Sequence, residues 1–271
     1  MSTVTASAPT TASPSFRAAR PTSALDDVRT VFLRELRPLI HEPFALIFGM
    51  VQPLFFLALF APLLIATNGL GDAASLQWFV PGLLVMSTLF ATSMTGSNLL
   101  QEMQTGAHER MLVTPVRRWS LIVGRALKES VPVLGQAVLL IAVSLPFGLD
   151  LNVGGVVLGL LILSLLGIGI GALSYTLALL VKDQDWVFWM VQQTLLFPLL
   201  LLSGMLLPTD DGPGWLRALA AINPLTYVVD AERALFNGDL TTAALWGALA
   251  AVGTAIVGLT VGVRTIGRSA G

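Results

Sequence analysis

The chain has 271 residues, of which 55% are hydrophobic and 11% are charged, and its mean hydropathy is +0.80. A soluble domain carries about 25% charged residues, so the composition excludes an ordinary soluble protein and indicates an integral membrane protein. The net charge of -1 argues against a nucleic-acid partner, and the absence of cysteine excludes disulfides, thiolate catalysis and cysteine-ligated metals.

The N-terminal region divides into two parts. Residues 1–24 are mainly Ser, Thr, Ala and Pro without an apolar run, so we expect a disordered cytoplasmic segment that is not a signal peptide. Residues 25–43 predict an amphipathic helix that lies in the membrane interface and ends near Pro38 and Pro43. Five residues at helical spacing form its apolar face: Leu25, Val28, Phe32, Leu36 and Leu39.

Residues 44–263 predict a membrane domain. A spanning helix needs roughly 20 consecutive apolar residues, and six such segments contain no Asp, Glu, Lys, Arg or His. They are 44–66, 78–100, 130–149, 155–181, 186–207 and 243–263. We therefore predict an all-α fold with six transmembrane helices and a short cytoplasmic tail at 264–271. Glycines four residues apart predict close helix packing: Gly155 with Gly159, Gly167 with Gly171, and Gly258 with Gly262.

The distribution of basic residues predicts the orientation, because Lys and Arg concentrate in cytoplasmic loops. Most of the 15 Lys and Arg residues lie in the N-terminal region, the loop at 101–129 and the tail, whereas the opposite side carries only Arg217 and Arg233. Both termini of this multi-pass protein are therefore predicted to be cytoplasmic.

The loop between the second and third spans contains a dense group of charged residues, "QTGAHERMLVTPVRRWSLIVGRALKE" at 104–129. From residue 100 to residue 111, apolar residues recur at helical spacing: Leu100, Met103, Ala107 and Met111. We predict one helix at about 100–115, ended by Thr114 and Pro115 because the residue before proline is disfavoured in a helix. An ordinary positively charged loop would show a similar charge content.

The segment at about 208–240, here called the outer hairpin, predicts two helices too short to cross a membrane. Pro213 marks the start of the first helix. Asn223 and Pro224 are typical of the N-cap and first residue of the second helix. Asn237 and Gly238 form a common C-terminal stop.

Several kinds of chemistry are unsupported by the sequence. The six spans lack the ionisable residues that ion-coupled carriers and intramembrane enzymes use. A nucleotide-binding P-loop needs Lys beside Gly, and Lys128 and Lys182 do not fit it. The chain is thus predicted to be no enzyme and to bind no cofactor or metal. If it moves a solute uphill, another polypeptide must supply the energy.

Uncharged polar residues within the spans are candidates for a substrate path: Gln52, Gln136, Gln192 and Gln193. They are equally suited to hydrogen bonds between helices, which is the commoner role of such residues. The adjacent pair Gln192 and Gln193 is the strongest candidate among them.

The stretch "GAHERMLVTPVRRWSLIVGRAL" resembles the cytosolic loop of the ABC-2 family of ABC-transporter membrane subunits. The matching residues are Gly106, Glu109, Arg110, Thr114, Pro115, Val116 and Gly124. "NPLTYVVDAERALFNG" resembles the outer hairpin of the daunorubicin-resistance branch of that family, and its candidate residues are Asn223, Pro224, Tyr227, Asp230 and Arg233. "LRPLIHEPFALIFGMVQPLFFLALF" is a third, weaker match.

This resemblance implies that residues 100–115 form a coupling helix that docks on a separate ATP-binding subunit, which uses ATP and Mg. It also implies a second permease copy or close paralogue, membrane lipid around the pair, and a bacterial inner-membrane location. The expected cargo is an amphipathic drug or lipid-like molecule. A permease for polysaccharide or lipid-linked glycan, and a non-transporting membrane sensor or scaffold, are the alternatives.

Overall fold

The computed structural model describes residues 23–41, 43–68, 72–112, 117–182, 184–206 and 212–268. Within these ranges, the side chains of residues 40, 43–48, 64–68, 72–73, 108–109 and 112 are outside the description. The described residues form helices joined by short turns and include no strand, which confirms the predicted all-α fold. Nearly all of the predicted disordered segment, 1–24, lies outside the described residues.

Twelve α-helices and one short 3-10 turn make up the described parts of the chain. In chain order they are α1 (Ala24–His41), α2 (Pro43–Asn68), α3 (Asp72–Ser93), α4 (Thr95–Gln104), α5 (Ala107–Leu112), α6 (Arg118–Lys128), α7 (Ser130–Ser144), the 3-10 turn Leu145–Phe147, α8 (Val153–Leu180), α9 (Asp185–Leu202), α10 (Gly214–Ile222), α11 (Pro224–Phe236) and α12 (Thr242–Arg268).

Five helical stretches among the described residues are long and apolar enough to cross a membrane. They are Ala74–Gln104, Arg118–Phe147, Val153–Leu180, Asp185–Leu202 and Thr242–Arg268. In α2 the corresponding described stretch, Gly49–Leu63, is shorter, so the six-span layout stays a prediction. The first stretch combines α3 with α4 and extends beyond the predicted span 78–100 at both ends. The second combines α6 with α7, begins well before the predicted span 130–149 and ends at Phe147.

Helix α8 lies at the centre of the bundle and packs against α3, α4, α6, α7, α11 and α12. Its residues Leu163 and Leu166 are fully buried, as are Leu84 on α3 and Val228 on α11. The core is therefore built around α8, and α8 connects the two regions that carry candidate functional residues.

Glycine determines how closely the helices approach α8, as the sequence predicted. A Cβ added at Gly258 would clash with the carbonyl oxygen of Gly169, so α12 can cross α8 backbone to backbone only without side chains there. Each glycine of the three predicted pairs likewise faces a neighbouring helix at a distance that a side chain would obstruct. The predicted packing role of these glycines is confirmed.

Helix α1 is present, but its packed face differs from the predicted one. Asp27 and Val31 are buried, whereas Leu25 is 80% exposed. Helix α1 packs against α6, where a Cβ at Gly124 would lie 2.7 Å from Cβ of Val31. The face that packs against α6 is therefore distinct from the apolar face that the sequence predicts to lie on the membrane, and that interfacial position stays a prediction.

Helix α1 continues through Pro38 to His41, so it ends two residues before Pro43, the second of the two prolines that the sequence indicated. A proline inside a helix removes one backbone donor. Pro43 then occupies the first position of α2, a position that proline favours.

Candidate coupling site, transport cleft and outer hairpin

The segment predicted as one helix at about 100–115 is broken in the middle. Helix α4 ends at Gln104, and Gly106 adopts a φ of 68° before α5 begins at Ala107. The amides of Thr105 and Gly106 donate to the carbonyls of Gln101 and Met103 and so close the end of α4. A positive φ is accessible to glycine at little cost, so Gly106 redirects the chain, which corrects the single-helix prediction.

The structure describes only some of the other residues predicted to couple the chain to an ATP-binding subunit. Arg110 lies on α5 with its side chain exposed, and its guanidinium donates to the carbonyl of Thr105 at 3.4 Å. Glu109 lies on α5, but its side chain is outside the description, and Thr114 and Pro115 lie outside the described residues. Their predicted contacts with an ATP-binding subunit stay predictions.

A buried arginine lies immediately behind this segment. Arg125 on α6 is 2% exposed and forms ion pairs with Glu102 on α4 and with Glu35 on α1, the latter at 3.4 Å. Its guanidinium carbon also lies 5.9 Å from the ring centroid of Tyr175 on α8. Burying a charge is costly unless it is paired, so Arg125 fastens four helices together. We call Glu35, Glu102, Arg125 and Tyr175 the Arg125 cluster.

The Arg125 cluster extends inward through Glu129, which is 1% exposed at the junction of α6 and α7. Its carboxylate accepts hydrogen bonds from Tyr175 Oη at 2.7 Å and from Lys128 Nζ at 2.8 Å. A Cβ at Gly171 would lie 2.8 Å from Cγ of Glu129, so glycine makes room for this side chain on α8.

The Arg125 cluster was not predicted from the sequence, because Arg125 was assigned to the end of the cytoplasmic loop at 101–129. One signal was available: Leu121 and Ile122 lie four and three residues before Arg125, so the arginine shares their apolar helix face. Both leucine and isoleucine are buried in the structure. A charged residue on an apolar face indicates a buried partner.

A cleft of about 370 Å³ opens between α2, α3, α4 and α7. Two of the four predicted path residues line it together, Gln52 and Gln136, along with Asn98, Lys128 and Glu129. Apolar side chains, including Met86 and Phe90, complete the lining. Gln136 is 5% exposed, and its Oε1 accepts no hydrogen bond from the described residues.

The pair Gln192 and Gln193 does not share an environment. Gln192 is buried, and its Nε2 donates to the carbonyl of Ser93 at 2.6 Å, which ties α9 to the end of α3. Gln193 is exposed on the other side of α9. Gln192 thus makes a contact between helices, and it also lines a separate cavity beside α8 and α9. Neither glutamine lines the cleft that contains Gln52 and Gln136, and their predicted path role stays a prediction.

The outer hairpin consists of α10 and α11, joined at Asn223. Asn223 Oδ1 accepts from the amide of Leu225 at 3.1 Å, as an N-cap residue does, and Pro224 is the first residue of α11. Asn223 Nδ2 also donates to the carbonyl of Leu199 on α9 at 2.7 Å. Tyr227 Oη donates to the carbonyl of Ala221 at 2.7 Å, which fixes α11 to α10.

Arg233 attaches α11 to two other parts of the bundle. Its Nε donates to the carbonyl of Trp78 on α3 at 3.2 Å, and Nη2 donates to the carbonyl of Gly204 after α9 at 3.0 Å. The guanidinium carbon lies 4.0 Å from the ring centroid of Trp78, within cation-π range. Asp230 is exposed and lies 4.0 Å from Arg233. These contacts hold the hairpin in place.

Among the described residues, no group of three or more His, Cys, Asp or Glu side chains is arranged to hold a metal ion. Taken together, the described side chains form a paired charge cluster near one end of α8, a cleft beside that cluster, and a helical hairpin held by hydrogen bonds near the other end of α8. Such an arrangement suits transmission of movement through a bundle.

Residues 26–237 match the ABC-2 type transporter family. A permease described as the daunorubicin resistance ABC transporter permease protein DrrB1 of Streptomyces coeruleorubidus is 26% identical over 232 residues, covering 85% of this chain and 80% of the relative.

Two further relatives carry transport names. The putative transport permease ycf38 of Cyanophora paradoxa is 33% identical over 206 residues, covering 73% of this chain and 69% of the relative. The probable multidrug ABC transporter permease YbhR of Escherichia coli strain K12 is 26% identical over 193 residues, covering 69% of this chain and 51% of the relative. Because the family match extends over most of its length, the chain belongs to the ABC-2 type transporter family of membrane permeases.

Proposed function

We propose that the chain is the membrane-spanning subunit of an ATP-driven exporter that moves an amphipathic drug or lipid-like molecule outward. A separate ATP-binding subunit, with ATP and Mg, supplies the energy. A second permease copy or close paralogue completes the translocation path in the inner membrane of a bacterium, with both termini in the cytoplasm. The observation that carries the proposal is the Arg125 cluster, which connects the segment around Gly106 to the core.

The transmission route follows from these contacts. Glu102 lies two residues before the end of α4 and is paired with Arg125 on α6, so a push on α5 that shifts α4 also pulls on α6. Asn98, one turn before Glu102, lines the cleft opposite Lys128 and Glu129. Movement of α4 relative to α6 therefore changes the shape of the cleft directly.

The cleft favours a small amphipathic cargo. Its volume of about 370 Å³ lies in the range of sites for drug-sized molecules, roughly 300–1,000 Å³. Its lining combines apolar side chains with a few uncharged polar groups, those of Gln52, Asn98 and Gln136 among them. A relative named for daunorubicin resistance supports the same cargo class.

The coupling role is tested with Glu102→Gln and with Glu109→Ala, each co-expressed with the ATP-binding subunit. Glu35 continues to neutralise Arg125 in the first variant, so we expect normal membrane insertion. Cargo-stimulated ATP hydrolysis should fall roughly fivefold or more, the usual scale of coupling between sites. Arg118→Gln, a change at an exposed residue of α6, is the matched control. Unchanged stimulation in both coupling variants would refute the assignment.

The cargo path is tested with Gln136→Leu and, as its control, Gln193→Leu. Leucine has a similar size, and Gln136 Oε1 has no described partner to lose, so stability should change little. We expect Gln136→Leu to alter which compounds stimulate ATP hydrolysis in nanodiscs, whereas Gln193→Leu leaves the profile unchanged. An identical profile for parent and Gln136→Leu would remove Gln136 from the path.

A further inference from the structure

One buried carboxyl group has no role in the transport mechanism above. Glu232 lies on α11 at the crossing with α8, and its side chain is 0% exposed. Neither carboxyl oxygen has a hydrogen-bond partner among the described residues. An unpaired carboxylate in such a place is strongly disfavoured relative to the neutral acid.

Two glycines of α8 make room for this arrangement. A Cβ added at Gly159 would clash with Oε2 of Glu232, and a Cβ at Gly155 would clash with the carbonyl oxygen of Leu235, one turn further along α11. The first turns of α8 therefore receive α11 backbone to backbone, and the Glu232 carboxyl lies flat against Gly159.

The charged residues on the helices around Glu232 do not compensate for the burial of its carboxyl group. Helix α8 contains no Asp, Glu, Lys, Arg or His, and its Tyr175 lies about 24 Å along the helix from Gly159 at 1.5 Å per residue. On its own helix, Asp230 is exposed and Arg233 points toward Trp78. The other helices packed against α11 carry these charged residues: Asp72, Asp185, Arg217, Arg264 and Arg268. Burial alone raises the pKa of Glu232, to about 8.

We propose that Glu232 is a proton-dependent latch that is neutral while α11 lies on α8 and ionises, releasing its proton to water, when the outer hairpin lifts away. The latch concerns the outer hairpin itself, so it goes beyond the proposed transport function and holds for any cargo.

The direction of the pH dependence follows from the two pKa values. The ordinary pKa of a glutamate is 4.5, and burial raises that of Glu232 to about 8 in the seated hairpin. Between these values Glu232 is protonated when α11 packs on α8 and ionised when the hairpin has moved away. The equilibrium constant for packing therefore falls as pH rises, by roughly tenfold per pH unit. Below the lower value both forms are protonated, and above the higher value both are ionised, so the dependence stops.

The chain contains no cysteine, which permits a labelling test with single introduced thiols. Val228 is fully buried and lies one turn before Glu232 on the same face of α11. Val228→Cys therefore reacts with a maleimide only when the hairpin lifts. Leu219→Cys on α10, at a position 46% exposed, serves as the reference thiol. The ratio of the two labelling rates cancels the pH dependence of thiol reactivity.

For the full chain in nanodiscs, we expect this ratio to rise by roughly tenfold per unit from about pH 5.5 to about pH 7.5 and then to level off. Glu232→Gln keeps the shape of the side chain but cannot ionise, so the ratio should become independent of pH. Asp239→Asn, a change at an exposed carboxylate of the same region, should retain the parental slope.

A flat ratio in the parental chain, or an unchanged slope in Glu232→Gln, would overturn the latch. If Glu232→Gln did not reach the membrane, Glu232→Ala, which also cannot ionise, would take its place, and a parental slope in that variant would overturn the latch. The readout needs neither ATP nor cargo, so its failure is distinct from a failure of the proposed transport function.

Discussion

The Arg125 cluster and Glu232 are both buried ionisable sites that contact α8, near opposite ends of that helix, and they accommodate burial in different ways. Arg125 is neutralised by two carboxylates that other helices supply, so its charge holds those helices together at any physiological pH. Glu232 has no described partner, so the neutral acid is the form that fits against Gly159. The paired charges of the Arg125 cluster therefore hold their helices together at all times, whereas the unpaired carboxyl of Glu232 lets protonation decide whether α11 stays packed on α8.

The largest expected effect comes from removing both partners of Arg125. Glu35→Gln combined with Glu102→Gln leaves a buried guanidinium without a carboxylate, which costs about 3–5 kcal/mol. We expect a much lower thermal unfolding temperature in detergent and weak accumulation in the membrane. A melting temperature equal to that of Arg118→Gln would show that the Arg125 cluster does not stabilise the packing of its helices.

The same double variant is sharpened by adding Arg125→Met. This triple variant removes the unpaired charge and fills the space with an apolar side chain, so stability should recover most of the loss. Cargo-stimulated ATP hydrolysis should not recover, because α4 and α6 are no longer linked by the ion pair. Recovery of both properties would separate the cluster from coupling.

An intermediate effect on stability is expected where α11 packs against the first turns of α8. Gly155→Ala places a methyl group against the carbonyl oxygen of Leu235, and overpacking of this kind costs about 1–3 kcal/mol. Gly154→Ala is the matched control, because its Cβ would meet only Oδ1 of Asn152 at 3.5 Å. We expect faster labelling of Val228→Cys in the Gly155 variant alone. Equal labelling in both variants would contradict the close crossing of α8 and α11.

The smallest effect is the coupling between Gly159 and Glu232. Gly159→Ala alone should destabilise seating because its methyl group meets the Glu232 carboxyl. In a Glu232→Ala background that obstacle is absent, so the penalty should shrink, with an interaction energy of about 0.5–3 kcal/mol. Unfolding and labelling measurements on the four chains of this cycle provide the value. Additive effects would mean that the two residues do not touch.

Local patterns predicted several parts of the structure correctly, since each depends on residues close in the chain. Apolar runs without charge predicted the long helices, and glycine pairs predicted the close crossings of α8. Asn223 and Pro224 predicted the start of α11. The break at Gly106 was missed, because helical spacing continues on both sides of a single residue with positive φ.

The sequence by itself determined an all-α membrane protein with a helical hairpin at about 208–240, because hydrophobic length, capping and small-residue spacing are properties of single segments. Its resemblance to the ABC-2 family, confirmed by the family match, identified it as a permease. Only the tertiary structure decided which charges are buried and what surrounds them. Glu35 meets Arg125, and Gly159 meets Glu232, across long stretches of chain. The free energy of a buried charge depends on its neighbours in space, so the difference between the fixed cluster and the proposed proton latch appears only when the helices are packed.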